Sequence, residues 1–436
     1  MASICVIGTG YVGLVSAVCF ASLSHMVSCV DLDERKVRRI NSGKPTIYEP
    51  GIEKPLAWAA RKRRLVASTD YSDAMRDADF SFICVGTPSR EDGSTDLSYV
   101  HKCASSIGWA LAKRKKPGRH VVVMKSTVPP GTTESLEPAI RREGAKDFGL
   151  CMNPEFLREG NAMHDFMKPD RIVVGAAKQR DADAVAKLYS RINKPLLKTD
   201  LRTAEMIKYA SNAFLATKIS FANELANMCE KFGVDVYGVA DGMGHDRRIG
   251  RGFLNAGAGF GGSCLKKDSG SLLHETRLRG FDAKILRAAM DTNDKQPYRM
   301  VELLRSLLGS LAGKRIALLG LAFKDNTDDI RDSAAIRVAK ALVQEGAAVV
   351  AYDPQATANA KRELGGTIAY APSAAKALRG ADACALCTEW PIFAKIPISS
   401  FRKMKHFVVV EGRDILDKAA LRKAGAKYSG IGRRGF

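Results

Sequence analysis

The sequence predicts an α/β protein in which two doubly wound parallel sheets are joined by a long central helix. Three observations predict this fold. Short apolar runs alternate with helical patterns through the first part of the chain, and residues 201–232 contain neither glycine nor proline. After Lys314, a strand, a turn, a helix and a second strand follow one another as they do at the N-terminus. With 436 residues, the chain is long enough for two or three domains.

The first strand–turn–helix unit carries Gly-Thr-Gly-Tyr-Val-Gly at 8–13, directly after the apolar strand 4–7. Gly8 allows a tight turn, Gly10 lets the backbone approach a pyrophosphate, and Gly13 lets the helix pack closely on the strand. The N-terminus of that helix directs its backbone N–H groups at the phosphates. This order of elements predicts a Rossmann-like domain that binds a dinucleotide.

A carboxylate at the end of the second strand, 27–30, distinguishes between the dinucleotides. Asp31 can accept hydrogen bonds from the ribose hydroxyls and would repel a 2′-phosphate, so NAD is favoured over NADP. Arg35 and Lys36 are near enough in sequence to weaken this preference. Further strands are predicted at 80–85, 120–124 and 171–174. Residues 1–199 are therefore the predicted NAD-binding domain.

The central helix is predicted over 201–232, with Asp200 as its N-cap and Gly233 as its stop. At 1.5 Å per residue it is roughly 45 Å long. Such a length suits a bridge between domains and a dimer interface. Residues 200–300 are therefore predicted to form the long central helix with a dimerisation and substrate-loop region.

The last part of the chain, 301–436, predicts a second Rossmann-like domain. A strand at 315–323 runs into a glycine turn, and a helical pattern then leads to a strand at 347–353 that ends in Asp353. The full glycine fingerprint is missing from this second copy. The domain is therefore predicted not to hold NAD, although it could hold another nucleotide.

The net charge of +21 includes basic clusters at 61–64, 113–116 and 433–434. A basic surface can bind nucleic acid or attract small anions. The clusters lack interleaved aromatic residues and the sequence has no nucleic-acid motif. The interpretation is therefore a solvated basic surface that attracts anionic small molecules, with no nucleic-acid partner.

The ten cysteines are spread thinly, and several lie in apolar runs, which is typical of thiols in a reducing compartment. Cys384 and Cys387 have CxxC spacing, but without a second pair or a nearby histidine they predict a core strand rather than a zinc or redox site. No metal site is predicted. The apolar N-terminus lacks the basic flank of a targeting signal, and no run approaches the roughly 18 apolar residues of a membrane span. We therefore expect a cytoplasmic protein without a membrane partner.

The segment 259–268, Gly-Phe-Gly-Gly-Ser-Cys-Leu-Lys-Lys-Asp, places a cysteine after three glycines and close to a lysine and a carboxylate. Glycines let the backbone approach a ligand, and Cys264 in its thiolate form is a nucleophile. The segment taken alone is also compatible with a loop that holds a buried thiol. Together with a nicotinamide cofactor, a nucleophilic cysteine indicates oxidation through a thioester.

These segments resemble the UDP-glucose/GDP-mannose dehydrogenase family, and the resemblance covers nearly the whole chain. Its motifs include Val-Gly-Thr-Pro at 85–88, Lys-Ser-Thr-Val-Pro-Pro-Gly at 125–131, Asn-Pro-Glu-Phe-Leu-Arg-Glu-Gly at 153–160, Lys-Tyr-Ala-Ser-Asn at 208–212, Gly-Gly-Ser-Cys at 261–264, Lys-Asp at 267–268, Phe-Lys at 323–324 and Asp-Asp-Ile-Arg at 328–331. Lys266 departs from the pattern, since many relatives have proline there. The lysine adds positive charge and displaces no reacting group.

The resemblance implies a four-electron oxidation in which UDP-glucose, two NAD⁺ and water give UDP-glucuronate and two NADH. Cys264 would add to the C6 aldehyde and carry a thiohemiacetal and then a thioester. Lys208 and Asn212 are four apart, so they share one helix face and can stabilise charge on the C6 oxygen. Asp268 would accept the proton, through water or Lys208. Lys208 or Lys267 would lower the pKa of the thiol.

The same resemblance gives Glu155 as the base for the hydrolytic water, supported by Glu159 and Thr127. Glu155 and Glu159 are four apart, which predicts that a helical turn brings them to one side. Two structural alternatives stay open at this point. Glu159 could pair only with Arg158 or Lys208, and Asn212 could hydrogen-bond only within its own helix.

Two sets of ligand-binding residues follow from the glycine motif and from the resemblance. NAD would be held by Gly8, Gly10, Tyr11, Val12, Gly13, Asp31, Lys36, Thr87, Pro88, Thr127, Glu159, Lys267 and Arg331. UDP-glucose would be held by Phe156, Leu157, Lys208, Asn212, Arg248, Phe253, Leu254, Asn255, Gly261, Phe323, Lys324 and Arg413. Arg248 resembles a position that reaches the site of a neighbouring subunit, so the expected assembly is a homodimer. The last domain would bind the UDP-sugar.

Three other functions remain possible on the sequence alone. They are a sibling enzyme that oxidises GDP-mannose or a UDP-N-acetylhexosamine, a two-electron β-hydroxyacid dehydrogenase, and a non-catalytic NAD-binding scaffold. Residues 153–155 and 253–255 look more like the UDP-glucose branch. The second class does not need Cys264 or the pair of glutamates. The third predicts no NADH production from UDP-glucose.

Overall fold

An eight-stranded sheet forms the centre of the first half of the protein. The computed structural model describes residues 1–433. Residues 434–436, which include Arg434 of the last basic cluster and the end of the predicted third segment, lie outside the described residues. The chain divides into two compact units. The first consists of Met1–Ser211 with Gly270–Arg279, and the second of Asn212–Ser269 with the residues from Gly280 onward.

The strands of the first unit follow the order β3-β2-β1-β4-β5-β6-β7-β8, and all neighbours are parallel except β6 and β7, which pair antiparallel. The central strands β4, β5 and β6 are buried along their whole length and mostly apolar, because a parallel sheet is covered on both faces. The strands are β1 (Ser3–Ile7), β2 (Met26–Val30), β3 (Leu65–Ser68), β4 (Phe80–Ile83), β5 (His120–Met124), β6 (Phe148–Met152), β7 (Ile172–Ala176) and β8 (Leu196–Thr199).

Helices cover both faces of this sheet, as the doubly wound prediction requires. They are α1 (Tyr11–Ser22), α2 (Glu34–Asn41), α3 (Glu53–Arg61), α4 (Tyr71–Met75), α5 (Ser98–Lys113), α6 (Thr132–Ser135), α7 (Glu137–Arg142), α8 (Ala162–Met167) and α9 (Gln179–Lys187). Buried residues of α1, α3, α8 and α9 form one apolar cluster, and those of α4, α5 and α7 form another. The two clusters lie on opposite faces of the sheet, because the inward side chains of a strand alternate between them.

The long helix α10 (Leu201–Phe232) has the predicted bounds. Its first turn is capped by Asp200, whose Oδ1 accepts the backbone N–H of Thr203 at 2.9 Å. It ends at Gly233, whose φ of 70° is a left-handed conformation that favours glycine. The boundary between the two units falls inside this helix, between Ser211 and Asn212.

The second unit contains a six-stranded sheet of order β11-β10-β9-β12-β13-β14, in which all neighbouring strands are parallel. Its strands are β9 (Arg315–Leu319), β10 (Ala348–Tyr352), β11 (Ala369–Tyr370), β12 (Ala383–Leu386), β13 (Val408–Glu411) and β14 (Lys427–Gly430). This is the strand order of a Rossmann-like domain. The prediction of two Rossmann-like sheets joined by a long helix is confirmed.

The remaining helices are α11 (Val236–Gly244), α12 (Leu265–Leu278), α13 (Lys284–Leu308), α14 (Ala334–Gln344), α15 (Thr357–Leu364), α16 (Ala374–Leu378), α17 (Pro391–Ala394), α18 (Ile398–Phe401) and α19 (Lys418–Lys423). Cys384 and Cys387 are buried at β12, so the CxxC pair belongs to a core strand as predicted. Within residues 1–433, none of the helices combines the length and the apolar character that crossing a membrane demands.

Candidate active site

The turn between β1 and α1 contains two glycines, Gly8 and Gly13, that no other residue could replace without displacing backbone. Gly8 has a φ of 90°, and a Cβ on Gly13 would lie 1.8 Å from the carbonyl oxygen of Gly8. A Cβ on Gly10 would meet open space. The strand order reverses between β1 and β4, where parallel sheets bind nucleotides at the carboxyl ends of their strands.

Asp31 follows β2 and lies against this turn. Its Oδ2 accepts the backbone N–H of Thr9 at 2.9 Å and the Thr9 hydroxyl at 2.5 Å, and its Oδ1 accepts the N–H of Asp33 at 3.0 Å. Lys36 pairs with it at 3.6 Å. Burial alone would raise the pKa of Asp31, but these hydrogen bonds and the Lys36 charge lower it below its ordinary value. Asp31 therefore carries its negative charge at the edge of the turn.

Other predicted cofactor residues meet at the neighbouring loops. The hydroxyl of Thr87 donates to the carbonyl oxygen of Thr127 at 3.0 Å, which joins the loops after β4 and β5. The hydroxyl oxygen of Tyr11 accepts the backbone N–H of Gly160 at 2.6 Å, next to Glu159. Val12 is half-buried at the start of α1, and Pro88 is exposed after β4.

These residues fit a bound NAD. The N-cap residue of α1 is Gly10, which has no side chain to cap the first turn, and the space beside it is open for the pyrophosphate that backbone N–H groups at a helix start can bind. Asp31 supplies the carboxylate that the ribose hydroxyls require.

Glu155 and Lys208 form a buried ion pair in the first unit. Lys208 Nζ lies 3.1 Å from Glu155 Oε1, and the two side chains are only 4 % and 6 % exposed. Glu155 Oε2 accepts the backbone N–H of Leu157 at 2.6 Å. Lys208 Nζ also lies 5.4 Å from the centre of the Phe156 ring, within the range of a cation–π contact. The ammonium is therefore held between a carboxylate and an aromatic face.

The predicted helical turn between Glu155 and Glu159 is wrong. Residues 153–158 have no regular secondary structure, and a hydrogen-bonded turn follows at 159–160. Pro154 disfavours helical backbone at Asn153, and the Glu155 carboxylate bonds the nearby N–H of Leu157 instead of facing a helical neighbour.

The segment after Glu155 is fixed by other contacts. Arg158 pairs with Asp165 at 2.7 Å, and Lys208 pairs with Glu155. Glu159 itself is half-buried. Glu49 accepts the backbone N–H groups of Gly160 and Ala162, both at 2.7 Å. Leu157 packs on the apolar cluster of the first unit.

Two buried groups near this segment were missed by the sequence reasoning. Glu49 holds the loop at Gly160, as described. Lys125, directly after β5, is buried, and its Nζ donates to Oδ1 of Asn153 at 3.0 Å. The sequence did offer a signal for Lys125, namely a lysine at the end of an apolar strand, since buried lysine is rare unless it is paired.

In the second unit, Cys264 stands at the start of α12 and is partly exposed. The backbone N–H of Asp268 donates to the carbonyl oxygen of Cys264 at 2.9 Å, so both belong to the first turn. Asp268 is buried, with Oδ2 accepting from the Asn212 amide at 2.6 Å and Oδ1 accepting from Lys267 Nζ at 2.5 Å. Asn212 thus hydrogen-bonds to α12 rather than only within its own helix.

The glycines before Cys264 allow a close approach of two predicted ligand-binding residues. A Cβ on Gly262, whose φ is 86°, would lie 2.7 Å from the Phe323 ring. The N–H of Gly262 donates to the carbonyl oxygen of Arg331 at 2.8 Å. A Cβ on Gly261 would come within 3.0 Å of the Phe323 side chain. Lys324 is half-buried beside this ring, with Nζ 5.8 Å from its centre.

The remaining predicted substrate residues, Arg413, Arg248 and residues 253–255, lie in the second unit. Arg413 donates to the carbonyl oxygen of Gly259 at 3.0 Å and pairs with Glu389 at 2.7 Å, so it braces the glycine loop. Leu254 is buried, whereas Phe253 and Asn255 are exposed, and Phe253 has a strained φ of 65°. The side chain of Arg248 is 89 % exposed and pairs with Asp246.

Chemically, the first unit offers a dinucleotide cradle and a buried carboxylate–ammonium pair. The second offers a partly exposed thiol whose helix begins with a buried aspartate bound to an amide and an ammonium. Lys208 and Asn212, one helical turn apart on α10, take part in one network each. Such groups can transfer protons, stabilise charge on oxygen and form a covalent adduct on sulfur.

Family models of the UDP-glucose/GDP-mannose dehydrogenases match three consecutive parts of the chain. The NAD binding domain of that family matches residues 2–193, the central domain matches residues 202–295, and the UDP binding domain matches residues 317–418.

Individual relatives match the chain over nearly its full length. A UDP-glucose 6-dehydrogenase of Haloferax volcanii is 46% identical over 98% of this chain and 99% of its own, and one of Bacillus subtilis (strain 168) is 43% identical over 99% of this chain and 94% of its own. The solved structure of a UDP-glucose dehydrogenase from the hyperthermophilic archaeon Pyrobaculum islandicum is 42% identical and superposes with a TM-score of 0.93, covering 100% of this chain and 98% of that one.

Proposed function

The chain belongs to the UDP-glucose/GDP-mannose dehydrogenase family and is an NAD-dependent oxidoreductase, and we propose that its substrate is UDP-glucose. The reaction is oxidation at C6, in which UDP-glucose, two NAD⁺ and water give UDP-glucuronate, two NADH and protons. The observation that carries the proposal is the pairing of Lys208 with Glu155 and of Asn212 with Asp268. Cys264 stands four residues before Asp268 in the chain. Relatives named for this activity support UDP-glucose as the sugar nucleotide.

The residues that hold NAD in this proposal are those of the β1–α1 turn and the loops around it. Backbone N–H groups at Gly10 and the start of α1 bind the pyrophosphate, and Asp31 accepts the ribose hydroxyls. Tyr11, Val12, Lys36, Thr87, Pro88, Glu159, Lys267 and Arg331 complete the set. Bound NAD⁺ supplies the hydride acceptor for both oxidations.

In the first oxidation, C6 loses a hydride while its hydroxyl loses a proton. Asp268 takes this proton through water or Lys208, because a buried carboxylate already positioned by two donors is a suitable acceptor. Asn212 uses one amide hydrogen on Asp268 and has a second to donate to the C6 oxygen. Lys208 adds its positive charge to that oxygen.

In the second oxidation, the sulfur of Cys264 bonds to C6 of the aldehyde and gives a thiohemiacetal. Loss of the remaining hydride from C6, with the hydroxyl proton, converts this adduct into a thioester. Lys208 or Lys267 favours the thiolate that makes the first bond. The covalent bond keeps the aldehyde from leaving between the two oxidations.

Hydrolysis of the thioester breaks the bond between sulfur and carbon. Glu155 takes a proton from water, whose oxygen bonds to C6, and the Cys264 thiolate leaves. The ion pair with Lys208 and the hydrogen bond from Leu157 fix the position of the Glu155 carboxylate. Glu159 and the Thr127 hydroxyl order the same water.

The sugar nucleotide is bound in this proposal by residues of all three segments, divided at 1–199, 200–300 and 301–436. The family match to a UDP binding domain at 317–418 supports the last segment as the UDP-sugar-binding domain. Phe323, Lys324 and Arg413 contact UDP or the sugar from there. The other contacts come from Phe156, Leu157, Lys208, Asn212, Phe253, Leu254, Asn255 and Gly261.

The assembly in this proposal is a homodimer formed through α10. Phe214, Phe221 and Met228 are spaced seven apart, which aligns them on one helix face, and they are 66%, 45% and 43% exposed. An exposed apolar stripe of this kind is typical of an interface. Arg248, exposed on the same unit, would reach the site of the other subunit. Ten free cysteines support a reducing cytoplasm as the compartment.

The test separates Cys264 from Glu155. Cys264→Ala abolishes net conversion to UDP-glucuronate, because no thiohemiacetal forms. Glu155→Gln keeps the thiol but slows hydrolysis by on the order of 10²–10⁴-fold, so a covalent adduct accumulates on Cys264 and appears as added mass on the peptide that contains 261–267. Cys229→Ala, a change at a buried thiol of the same unit, is the matched control and leaves turnover unchanged. Near-normal turnover of Cys264→Ala, or an adduct on another cysteine, refutes the proposal.

A further inference from the structure

Lys125 is a buried cation for which the steps above have no role. It follows β5 directly and is only 3 % exposed. Its Nζ donates to the Asn153 side-chain oxygen Oδ1 at 3.0 Å and lies 3.3 Å from the Asn153 backbone oxygen. A lysine loses most of its hydration when it is buried in this way, so a charged ammonium there needs compensating interactions.

Asn153 is held from every side. Its backbone N–H donates to the carbonyl oxygen of Met124 at 2.8 Å, and its amide Nδ2 donates to that of Val173 at 2.8 Å. Its Oδ1 accepts the Tyr189 hydroxyl at 2.5 Å as well as the ammonium of Lys125. The residue at the end of β6 is thereby tied to β5 and β7 on both sides.

The position of Asn153 determines where the next two residues go. Pro154 has a fixed φ, so little freedom remains between the Asn153 carbonyl and the backbone of Glu155. The contact of Lys125 with that carbonyl is therefore one fixed residue away from the carboxylate proposed to activate water. A loss of this anchor would release the segment at the point where it leaves the sheet.

Charge also connects Lys125 to Glu155. Burial lowers the pKa of Lys125 to about 8, whereas Cys84 and Glu155 act to raise it and Lys208 acts to lower it. The charged or titratable groups that act on the ammonium are Cys84 after β4, Cys19 on α1, Glu155 after β6 and Lys208 on α10. The centre of the Phe166 ring on α8 lies 5.9 Å from Nζ. The Tyr189 hydroxyl, after α9, shares the acceptor Oδ1 of Asn153 with it. Glu155 thus interacts with two buried lysines rather than one.

We propose that Lys125 is a positioning residue for thioester hydrolysis, which acts through Asn153 to direct the Glu155 carboxylate at water. The proposal rests on the function proposed above, in which Glu155 is the base. It predicts that Lys125 matters for the release of the product acid and not for either hydride transfer.

The test is a kinetic double-mutant cycle with Lys125→Met and Glu155→Gln. NADH formation is followed in a rapid mixing experiment, and the adduct on Cys264 is measured by mass after quenching. Lys125→Met retains the initial burst of NADH, whereas the steady-state kcat falls by on the order of 10²-fold, as expected for a misplaced reacting group. The KM values for UDP-glucose and NAD⁺ stay nearly unchanged, and the adduct accumulates. In the Glu155→Gln background, Lys125→Met gives no further slowing.

His120→Gln is the matched control. His120 is buried at the other end of β5, where its ring bonds Ser81 at 2.7 Å and the Ala78 carbonyl at 3.1 Å. The His120→Gln substitution destabilises the same strand without changing a contact of Asn153. The ratio of the NADH burst to the steady-state rate therefore stays that of the unsubstituted enzyme. If Lys125→Met does not fold, Lys125→Gln, which keeps a donor but no charge, is measured in its place and shows an increased level of the adduct.

Three outcomes overturn the proposal. The first is a burst that falls in proportion to the steady state in Lys125→Met, which means a structural role only. The second is further slowing in the Glu155→Gln background, which means a role independent of Glu155. The third is a folded Lys125→Gln with no increase in the adduct. A different result would contradict the function proposed above, namely the absence of an adduct on Cys264 in Glu155→Gln itself.

Discussion

The buried pair of Lys208 and Glu155 makes a quantitative prediction for stability. Lys208→Met leaves a carboxylate that is 6 % exposed without its cation, and Glu155→Gln leaves an ammonium that is 4 % exposed without its anion. Removal of one partner of a buried pair costs about 3–5 kcal/mol, because an uncompensated charge remains in a poorly solvated place. The double variant leaves neither member of this pair charged, so it costs much less than the sum of the two single variants.

The expected coupling energy, defined as the loss in the double variant minus the sum of the two single losses, is therefore negative and on the order of 3 kcal/mol in magnitude, at the upper end of what contacting residues show. Each single variant keeps part of the free energy of unfolding, because some contacts of the remaining residue persist. Lys208 keeps its contact with the Phe156 ring, and the amide oxygen that Glu155→Gln introduces can still accept the N–H of Leu157.

Denaturant unfolding followed by tryptophan fluorescence measures this cycle. Trp58 and Trp109 lie in the first unit with the ion pair, and Trp390 lies in the second. A Trp390→Phe background therefore reports the transition of the first unit alone. Lys113→Met, at an exposed lysine 3.5 Å from the centre of the Trp109 ring, is the control for loss of a lysine without loss of a buried pair. Free-energy losses that simply add in the double variant refute the account of a coupled buried pair.

Three further predictions concern the cofactor, the assembly and pH. Asp31→Asn raises the KM for NAD⁺ and narrows the preference over NADP⁺ by roughly tenfold, or about 1.4 kcal/mol, whereas a wild-type enzyme that prefers NADP⁺ contradicts the assignment. Phe214→Asp places a charge on the exposed face of α10 and converts the proposed dimer to monomers in light scattering; an unchanged mass contradicts the proposed interface. Burial raises the pKa of Glu411 from 4.5 to about 7, so its protonated form is favoured in the folded state. The folded state therefore loses about 3 kcal/mol of stability between pH 4.5 and pH 7, and Glu411→Gln removes this dependence; parallel pH curves for the two proteins contradict it.

Local sequence signals were sufficient for the long helix. Residues 201–232 lack glycine and proline, and Asp200 and Gly233 act at the two ends as the capping rules require. The parallel strand β5 was equally predictable, since its apolar run is bounded on both sides by polar residues. In these elements the physical cause of the structure lies within the segment itself.

The candidate site was predictable only in part. The spacing of Lys208 and Asn212 places them on one face, but their separate carboxylate partners come from distant segments. The Glu155–Glu159 spacing predicted a helical turn that the structure lacks, because a side-chain to backbone hydrogen bond competes with helix formation. The pairing of Lys125 with Asn153 joins residues 28 apart across two strands, and no local pattern encodes it.

The second Rossmann-like sheet illustrates the same limit. Asp353 ends β10 as Asp31 ends β2, but its Oδ2 accepts the N–H groups of Leu321 and Ala322 and the indole N–H of Trp390. The carboxylate that could accept ribose hydroxyls is thus committed to the protein. The missing glycine fingerprint predicts that this domain does not hold NAD, whereas the contact with the tryptophan could be found only in the structure.

The most direct test of the proposed reaction is the number of NADH molecules formed for each UDP-glucose consumed, measured at completion with NAD⁺ in excess. Purified protein is given limiting UDP-glucose, NADH is measured by absorbance, and the product is identified by mass. GDP-mannose and a UDP-N-acetylhexosamine serve as comparison substrates and should give little or no NADH. The account predicts two NADH and one UDP-glucuronate for each UDP-glucose, with little free aldehyde. One NADH for each sugar, with the aldehyde as the product, would contradict it.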